Sequence, residues 1–155
     1  MRIAVGSDHA GFHLKEHVRG RLSALGHDVV DVGVSSPDSA DYPGYAHDVA
    51  EMVADGEAER GILVCGSGVG MAIVANKVAG VRAVNAHDAP EAELARRHND
   101  VNVVTLSGAR LAPDRAEAII AAFLRSDFEG GRHARRVAQV AALEESGQAA
   151  SVARR

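Results

Sequence analysis

The stretch Gly61-Ile62-Leu63-Val64-Cys65-Gly66-Ser67-Gly68-Val69-Gly70-Met71 sets the fold and the chemistry together. Its apolar run, Ile62-Leu63-Val64, reads as a strand buried on both faces. The glycines at 66, 68 and 70 mark backbone that must bend tightly or approach something closely, since each carries an entropy cost. The segment from Met71 to Lys77 reads as a helix. Cys65 is the only cysteine of the chain and stands where strand gives way to turn. A thiol beside a helix start lies near exposed N–H groups and the positive end of the dipole, which favours ionised sulfur and makes a base or nucleophile. The competing reading is a small buried core residue.

The same alternation of strand and helix extends outward from this stretch. Ile3-Ala4-Val5 is a short strand, followed by a helix with Leu14, Val18, Leu22 and Leu25 on one face and Gly26 at its end. Val29, Val30 and Val32 form a second strand, and a Ser-, Pro- and Asp-rich loop runs from Gly33 to Pro43. Ala46, Val49, Ala50 and Val53 repeat at helical spacing. After the central unit come a strand at Ala83-Val84, a helix from Pro90 to near His98 and a strand from Val101 to Leu106. Pro113 opens a helix packed through Ala116, Ile119, Ile120 and Phe123. Gly130-Gly131 precedes a last helix expected over Arg132 to Glu145.

This order predicts an α/β domain with a five-stranded parallel sheet covered by helices on both faces, plus a C-terminal helix. One domain is expected over 1–147 and a frayed tail over 148–155. Ligands on such sheets bind beyond the carboxyl ends of the strands. That edge gathers Ser7 to Gly11, the Gly33 to Tyr42 loop, Cys65 to Gly70, Ala86 to Asp88 and Ser107 to Arg110.

Composition narrows the function. The 155 residues are 46% hydrophobic and 25% charged, with a net charge of −4. That balance suits a water-soluble globular chain and gives no general attraction to nucleic acid or anionic membrane. Aromatic residues are 3% and Trp is absent, so base-stacking platforms are not expected. A single cysteine excludes an internal disulfide and suits a reducing compartment. No targeting segment and no membrane-length apolar run are read, so the expected location is cytoplasmic.

Several motifs carry chemistry, each beside a plainer alternative. The turn Gly66-x-Gly68-x-Gly70 is not a Walker loop and not a clean dinucleotide fingerprint, although Asp88 lies near the distance of a ribose-binding acid. What it offers is a nest of backbone N–H groups for an anionic oxygen, against a purely structural turn. Asp8-His9 ends the first strand and can move protons or grip a hydroxyl, unless Asp8 is simply a cap. His9, His13 and His17 have the spacing of a metal-binding face but lack a partner cluster, and a solvated helical face is the preferred reading. Arg132 and Arg136, at i and i+4, suit a phosphate; a basic turn paired with Glu129 is the alternative. His98 closes a helix, where its charged form is favoured and it can serve as an acid, or it is a cap. Because it precedes a strand, it lies on the edge opposite Cys65, so joint action would require a subunit interface.

The set Gly6-Ser7-Asp8-His9-Ala10-Gly11, Asp41-Tyr42-Pro43, Cys65 to Gly70, Ala75-Asn76-Lys77, Arg82-Ala83, His98 to Val103 and Glu129-Gly130-Gly131-Arg132-His133 strongly resembles type B ribose-5-phosphate isomerases. That group also includes galactose-6-phosphate and allose-6-phosphate isomerases. The resemblance runs from Arg2 to about Leu143. It implies a three-layer, Rossmann-like α/β/α fold, a homodimer with shared sites that can assemble to a tetramer, and no metal or other cofactor. The implied reaction is ribose 5-phosphate to ribulose 5-phosphate through a cis-enediolate. By the same resemblance Cys65 is the base, Ser67 assists it, and backbone at Gly66, Gly68, Val69 and Gly70 holds the enediolate oxygens. His98 of a partner, aided by Asp8, opens the sugar ring; Asn99 binds sugar oxygens; His9, Arg110, Arg132 and Arg136 hold the phosphate. The Thr105-Leu106-Ser107-Gly108-Ala109-Arg110 stretch departs by one residue before its arginine. Met71 stands where some relatives carry a glutamate base. A hexose 6-phosphate substrate and a nucleotide-binding regulatory domain are the rival functions, with a redox-sensing thiol protein as a third.

Overall fold

Short apolar strands joined by amphipathic helices bury both of their faces in a parallel sheet with helical covers, and that is the observed architecture. A computed structural model describes the backbone of residues 1–153 and the side chains of residues 1–144. Among the described residues the strands are β1 (Arg2–Ser7), β2 (Asp28–Asp31), β3 (Arg60–Cys65), β4 (Ala83–Asn85) and β5 (Val103–Ser107). The helices are α1 (Phe12–Ala24), α2 (Tyr42–Ala54), α3 (Val69–Ala75), α4 (Ala89–Asn99), α5 (Pro113–Arg125) and α6 (Arg132–Ala153). All pairings are parallel and the strand order is β2-β1-β3-β5-β4.

Side chains alternate across the sheet. Ile3, Val5, Ile62, Val64, Val104 and Leu106 meet α1, α4 and α5 on one face. Ala4, Leu63, Cys65 and Val103 meet α2 and α3 on the other. The result is three layers, α/β/α, with a core on each side of the sheet. Proline at the first or second position starts α2, α4 and α5, where no intrahelical N–H is needed. Gly26, at φ 84°, ends α1: its N–H reaches the Ser23 carbonyl at 3.0 Å and the His27 N–H reaches that of Leu22 at 3.1 Å.

Three boundaries differ from the sequence reading. The helix expected at Met71 begins two residues earlier, at Val69, because Gly68 adopts a left-handed conformation and serves as its cap. The fifth strand is Val103–Ser107, shifted from the expected Val101 to Leu106; Asn102 just before it pairs through its backbone with Arg82 and Gly61 and through its side chain with the Arg82 N–H. Helix α6 continues past Glu145 to Ala153, so the backbone of most of the expected tail is helical; residues 154–155 lie outside the described residues.

Candidate active site

The strand order reverses direction between β1 and β3: α1 leaves β1 on one face, and α2 enters β3 from the other. A crevice opens at the carboxyl ends of neighbouring strands at such a switch point. Cys65 closes β3 there and is 4% exposed. Its sulfur is not surrounded by hydrocarbon alone, since the Gly68 N–H donates to Sγ at 3.1 Å. That contact demands a sharp turn, and Gly68 provides it at φ 79°. A Cβ on Gly68 would stand 2.2 Å from Asn85 Oδ1, so a side chain there would displace Asn85 as well as strain the backbone.

The carbonyls of the turn face inward and are all occupied. Gly108 N–H donates to Cys65 O at 2.8 Å. Ser107 Oγ donates to Gly66 O at 2.7 Å, Asn85 Nδ2 to Ser67 O at 3.2 Å and Thr105 Oγ1 to Gly68 O at 2.8 Å. The Ser67 hydroxyl accepts the Val69 N–H at 3.2 Å and is not bonded to the sulfur. The first N–H groups of α3 have no partner within the helix. Helix α3 has only seven residues, so the direct Gly68 donor, rather than a long helix dipole, is the local influence on the sulfur.

The rest of this edge is assembled from β1, α2 and the loop after β5. Asp8 is 7% exposed and caps the turn of 3-10 helix at His9–Gly11, accepting the Gly11 N–H at 2.9 Å. The capping alternative for Asp8 is therefore realised, and its carboxylate makes no bond to His9. The His9 ring nitrogen Nδ1 lies 3.1 Å from Ala40 O and 3.2 Å from Ala40 N, which fastens it to the Gly33–Pro43 loop. Tyr42 starts α2 with its ring over Gly70, so close that a Cβ there would come within 2.8 Å of it. Arg110 is exposed in the turn after β5. The Ser7 hydroxyl is buried without a partner among the described residues.

His98, Asn99, Arg132 and Arg136 form a separate group. Helix α4 carries His98 and Asn99 to the opposite edge of the sheet, where the Asn102 carbonyl accepts the N–H of Gly61 near the start of β3. Asp100 ends α4 in a left-handed conformation at φ 48° and ties Arg96 at 2.8 Å to Arg82 at 2.9 Å. Gly130 and Gly131 turn the chain into α6, which begins at Arg132. The His98 and His133 rings stack with centroids 4.2 Å apart. Glu129 Oε2 is 3.7 Å from Nε2 of each, while Arg97 Nε donates to Glu129 Oε1 at 2.7 Å. The partner of Glu129 is thus Arg97, not Arg132.

Electrostatics in this group favour an anion. The Arg97 hydrogen bond holds the Glu129 carboxyl below the usual carboxylate range. Burial, then the charges of His98 and Arg132, push the His133 imidazole below its ordinary value, with Glu129 opposing and Arg136 adding to the depression. Arg136, Asn99 and Arg82 line a cleft of about 300 Å³ between α6, the end of α4 and the start of β4.

The structure also decides among the plainer readings. His13 and His17 are exposed, and His17 pairs with Glu117 at 2.8 Å, so the solvated helical face stands. Asp88 caps α4 by accepting the Glu91 N–H at 2.8 Å, which uses the carboxylate a ribose would need. Thr105, Ser107, Asn85 and Tyr42 are the side chains against the turn after Cys65 that sequence reasoning left without a role. The available signal was polar residues at 105 and 107 on one face of an otherwise apolar strand.

Comparisons with known proteins cover this whole architecture. Residues 3–140 match the family model described as Ribose/Galactose Isomerase. The chain is 44% identical to ribose-5-phosphate isomerase B of Escherichia coli over 144 residues, 93% of this chain and 97% of that protein. The solved ribose-5-phosphate isomerase B of Clostridium thermocellum superposes with a TM-score of 0.93 at 40% identity, covering 94% of this chain and 99% of that one. That of Mycoplasma genitalium, solved with bound ribulose-5-phosphate, gives 0.89 at 38% identity over 93% and 96% of the two chains. With sequence and structure matching from β1 into α6, the chain belongs to the ribose/galactose isomerase family.

Proposed function

We propose that the protein interconverts ribose 5-phosphate and ribulose 5-phosphate by proton transfer through a cis-enediolate, with Cys65 as the base. The observation that carries this reading is the Gly68 N–H on Cys65 Sγ inside a turn whose carbonyls are all directed inward. In the aldose-to-ketose direction the Cys65 thiolate takes the proton from C2. The C2–H electron pair becomes the C1=C2 bond, and the C1 carbonyl electrons move onto O1. With the Gly68 and Val69 N–H groups already on Cys65 Sγ and Ser67 Oγ, the Ser67 and Gly70 N–H groups of the turn stabilise the enediolate oxygens; such preorganised donors are typically worth about 3 kcal/mol each. The thiol then returns a proton to C1, and the O2 proton passes to O1. The Ser67 hydroxyl faces solvent beside this turn and is placed to contact substrate oxygens.

The remaining groups act from a second copy of the chain. Strand β3 alone spans about 20 Å, and His98 lies at the end of the sheet remote from Cys65. Val69 and Ile73 are 50% and 57% exposed, and together they offer an apolar surface next to the Cys65 turn that a partner can cover. A homodimer in which this surface meets the partner's α4–α6 edge brings His98 to the sugar ring oxygen as the ring-opening acid. Asn99 then meets sugar oxygens, and Arg132 and Arg136 meet the phosphate, with His9 and Arg110 from the Cys65 edge. Among the described residues no helix is long and apolar enough to cross a membrane.

Side-by-side turnover of ribose 5-phosphate, allose 6-phosphate and galactose 6-phosphate tests the assignment. Preference for the pentose supports it; preference for a hexose phosphate moves the substrate while keeping the mechanism. Tight binding of NAD or ATP without isomerisation would replace it with the nucleotide-binding reading.

A further inference from the structure

Three successive peptide groups of the Cys65 turn are gripped at their carbonyls, those of Gly66, Ser67 and Gly68, by side chains from β4 and β5, with backbone N–H groups of Ala109 and Ala72 also on the first and third. A trans peptide is planar, with its N–H directed opposite to its C=O. Fixing a carbonyl therefore aims the N–H of the following residue. Asn85 Nδ2 holds Ser67 O at 3.2 Å, and the other end of that same peptide is the Gly68 N–H that donates to Cys65 Sγ at 3.1 Å. Thr105 Oγ1 holds Gly68 O at 2.8 Å, and the other end of that peptide is the Val69 N–H on Ser67 Oγ at 3.2 Å. Ser107 Oγ holds Gly66 O at 2.7 Å, which directs the Ser67 N–H outward.

The three side chains do not meet by accident of loop packing. Thr105 and Ser107 alternate along β5, so both project to the face that carries Cys65, and Ser107 is the register partner of Cys65 across the sheet. Thr105 is fully buried and Ser107 is 3% exposed. Both are hydroxyls in an otherwise apolar strand, and both are spent on turn carbonyls. Asn85 ends β4, and its Oδ1 occupies the space that any side chain on Gly68 would need. The left-handed Gly68 and the amide of Asn85 thus fit one another.

We propose that Asn85, Thr105 and Ser107 are positioning residues: a three-point carbonyl clamp that aims the backbone N–H groups of the Cys65 turn at the sulfur and at the developing enediolate. The clamp rests on the reading of Cys65 as the base. It acts on the sulfur through Asn85, and on the oxyanion donors through Ser107. Thr105 steadies the junction between the two. Because the groups being aimed belong to backbone, losing a clamp member leaves the substrate's phosphate contacts in place and lowers the chemical step.

The test combines steady-state kinetics with alkylation of Cys65 by iodoacetamide as a function of pH. The variants are Asn85→Leu, Thr105→Val, Thr105→Ser, Ser107→Ala and Cys65→Ala. Asn85→Leu is expected to lower kcat about tenfold to a hundredfold with KM within about twofold, and to move the alkylation midpoint to higher pH. Thr105→Val and Ser107→Ala should lower kcat by about tenfold, and Thr105→Ser should restore it. Should Asn85→Leu not fold, Asn85→Ala removes the same donor without adding a charge and is read in the same way. Wild-type kcat and an unmoved alkylation profile in the folded Asn85 variant overturn the clamp. So does a loss of kcat in Thr105→Val that Thr105→Ser fails to restore. Alkylation needs no turnover, so a Cys65→Ala enzyme that retains activity removes the base assignment without deciding the clamp.

Discussion

The two ends of the sheet are built from different materials. At the carboxyl end, Cys65 is surrounded by backbone: a glycine turn whose N–H and C=O groups are fixed by β4 and β5. At the other end, His98 and Arg97 on α4, Arg132, His133 and Arg136 on α6, and Glu129 just before α6 form a group of polar and charged side chains. Under the proposed function, the difference follows from what each end would recognise. Proton transfer at carbon needs donors held at fixed positions before the charge develops, and a pinned backbone supplies them without reorganisation. A phosphate is a large, symmetric dianion that flexible guanidinium groups can reach from several directions.

The comparison breaks first at the sulfur. Cys65→Ala should lower kcat on the order of 10³-fold or more while phosphate affinity, measured by competition with inorganic phosphate, stays near wild type. Retained turnover would remove the chemical role of the carboxyl edge. His98→Asn should come next, with about a 10²-fold loss on cyclic substrate and little loss on an open-chain analogue. Equal loss on both would show that His98 does not open the ring. Arg136→Ala should raise KM about tenfold with kcat nearly unchanged; an unaltered KM would place the phosphate elsewhere.

The smallest effect is on stability. His133 is 7% exposed, and burial with the nearby His98 and Arg132 charges holds it below its ordinary value. The unfolded chain therefore binds this proton more readily than the folded one. Stability is fully present above about pH 6.5 and is lost progressively as pH falls through the folded value. Arg136 adds to the depression and Glu129 opposes it. His133→Gln should flatten the fall in Tm over that range, and thermal melts across pH 5 to 7.5 (about the span of imidazole titration) would register it. An unchanged slope would assign the acid sensitivity to other groups.

Much of the layered fold was legible because burial leaves a periodic trace. Ile62-Leu63-Val64 is apolar without interruption because both of its faces are covered, and α5 shows Ala116, Ile119, Ile120 and Phe123 at helical spacing because one face is. The placement of Cys65 and His98 at opposite edges was also readable, since the polypeptide must reverse between a residue that follows a strand and one that precedes it. What the sequence hid was detail decided by side-chain hydrogen bonds. The start of α3 moved because Gly68 turns left-handed against Asn85. Asp8 and Asp88 proved to be caps, a role that a carboxylate near a helix start shares with chemistry until its partner is seen. The grip of Asn85, Thr105 and Ser107 on the turn joins residues far apart in the chain, and its only local trace is the pair of hydroxyls at 105 and 107 in an otherwise apolar strand.

The account turns on one catalytic centre drawing Cys65 from one copy and His98 from another, and mixing two dead enzymes tests it most directly. Cys65→Ala and His98→Asn are each purified, shown to be nearly inactive, unfolded together and refolded as a mixture. Shared sites predict recovery to about a quarter of wild-type turnover, since half the dimers are mixed and each regains one intact site. A mixture as inactive as its two components would place both residues in a single chain's site and contradict the account.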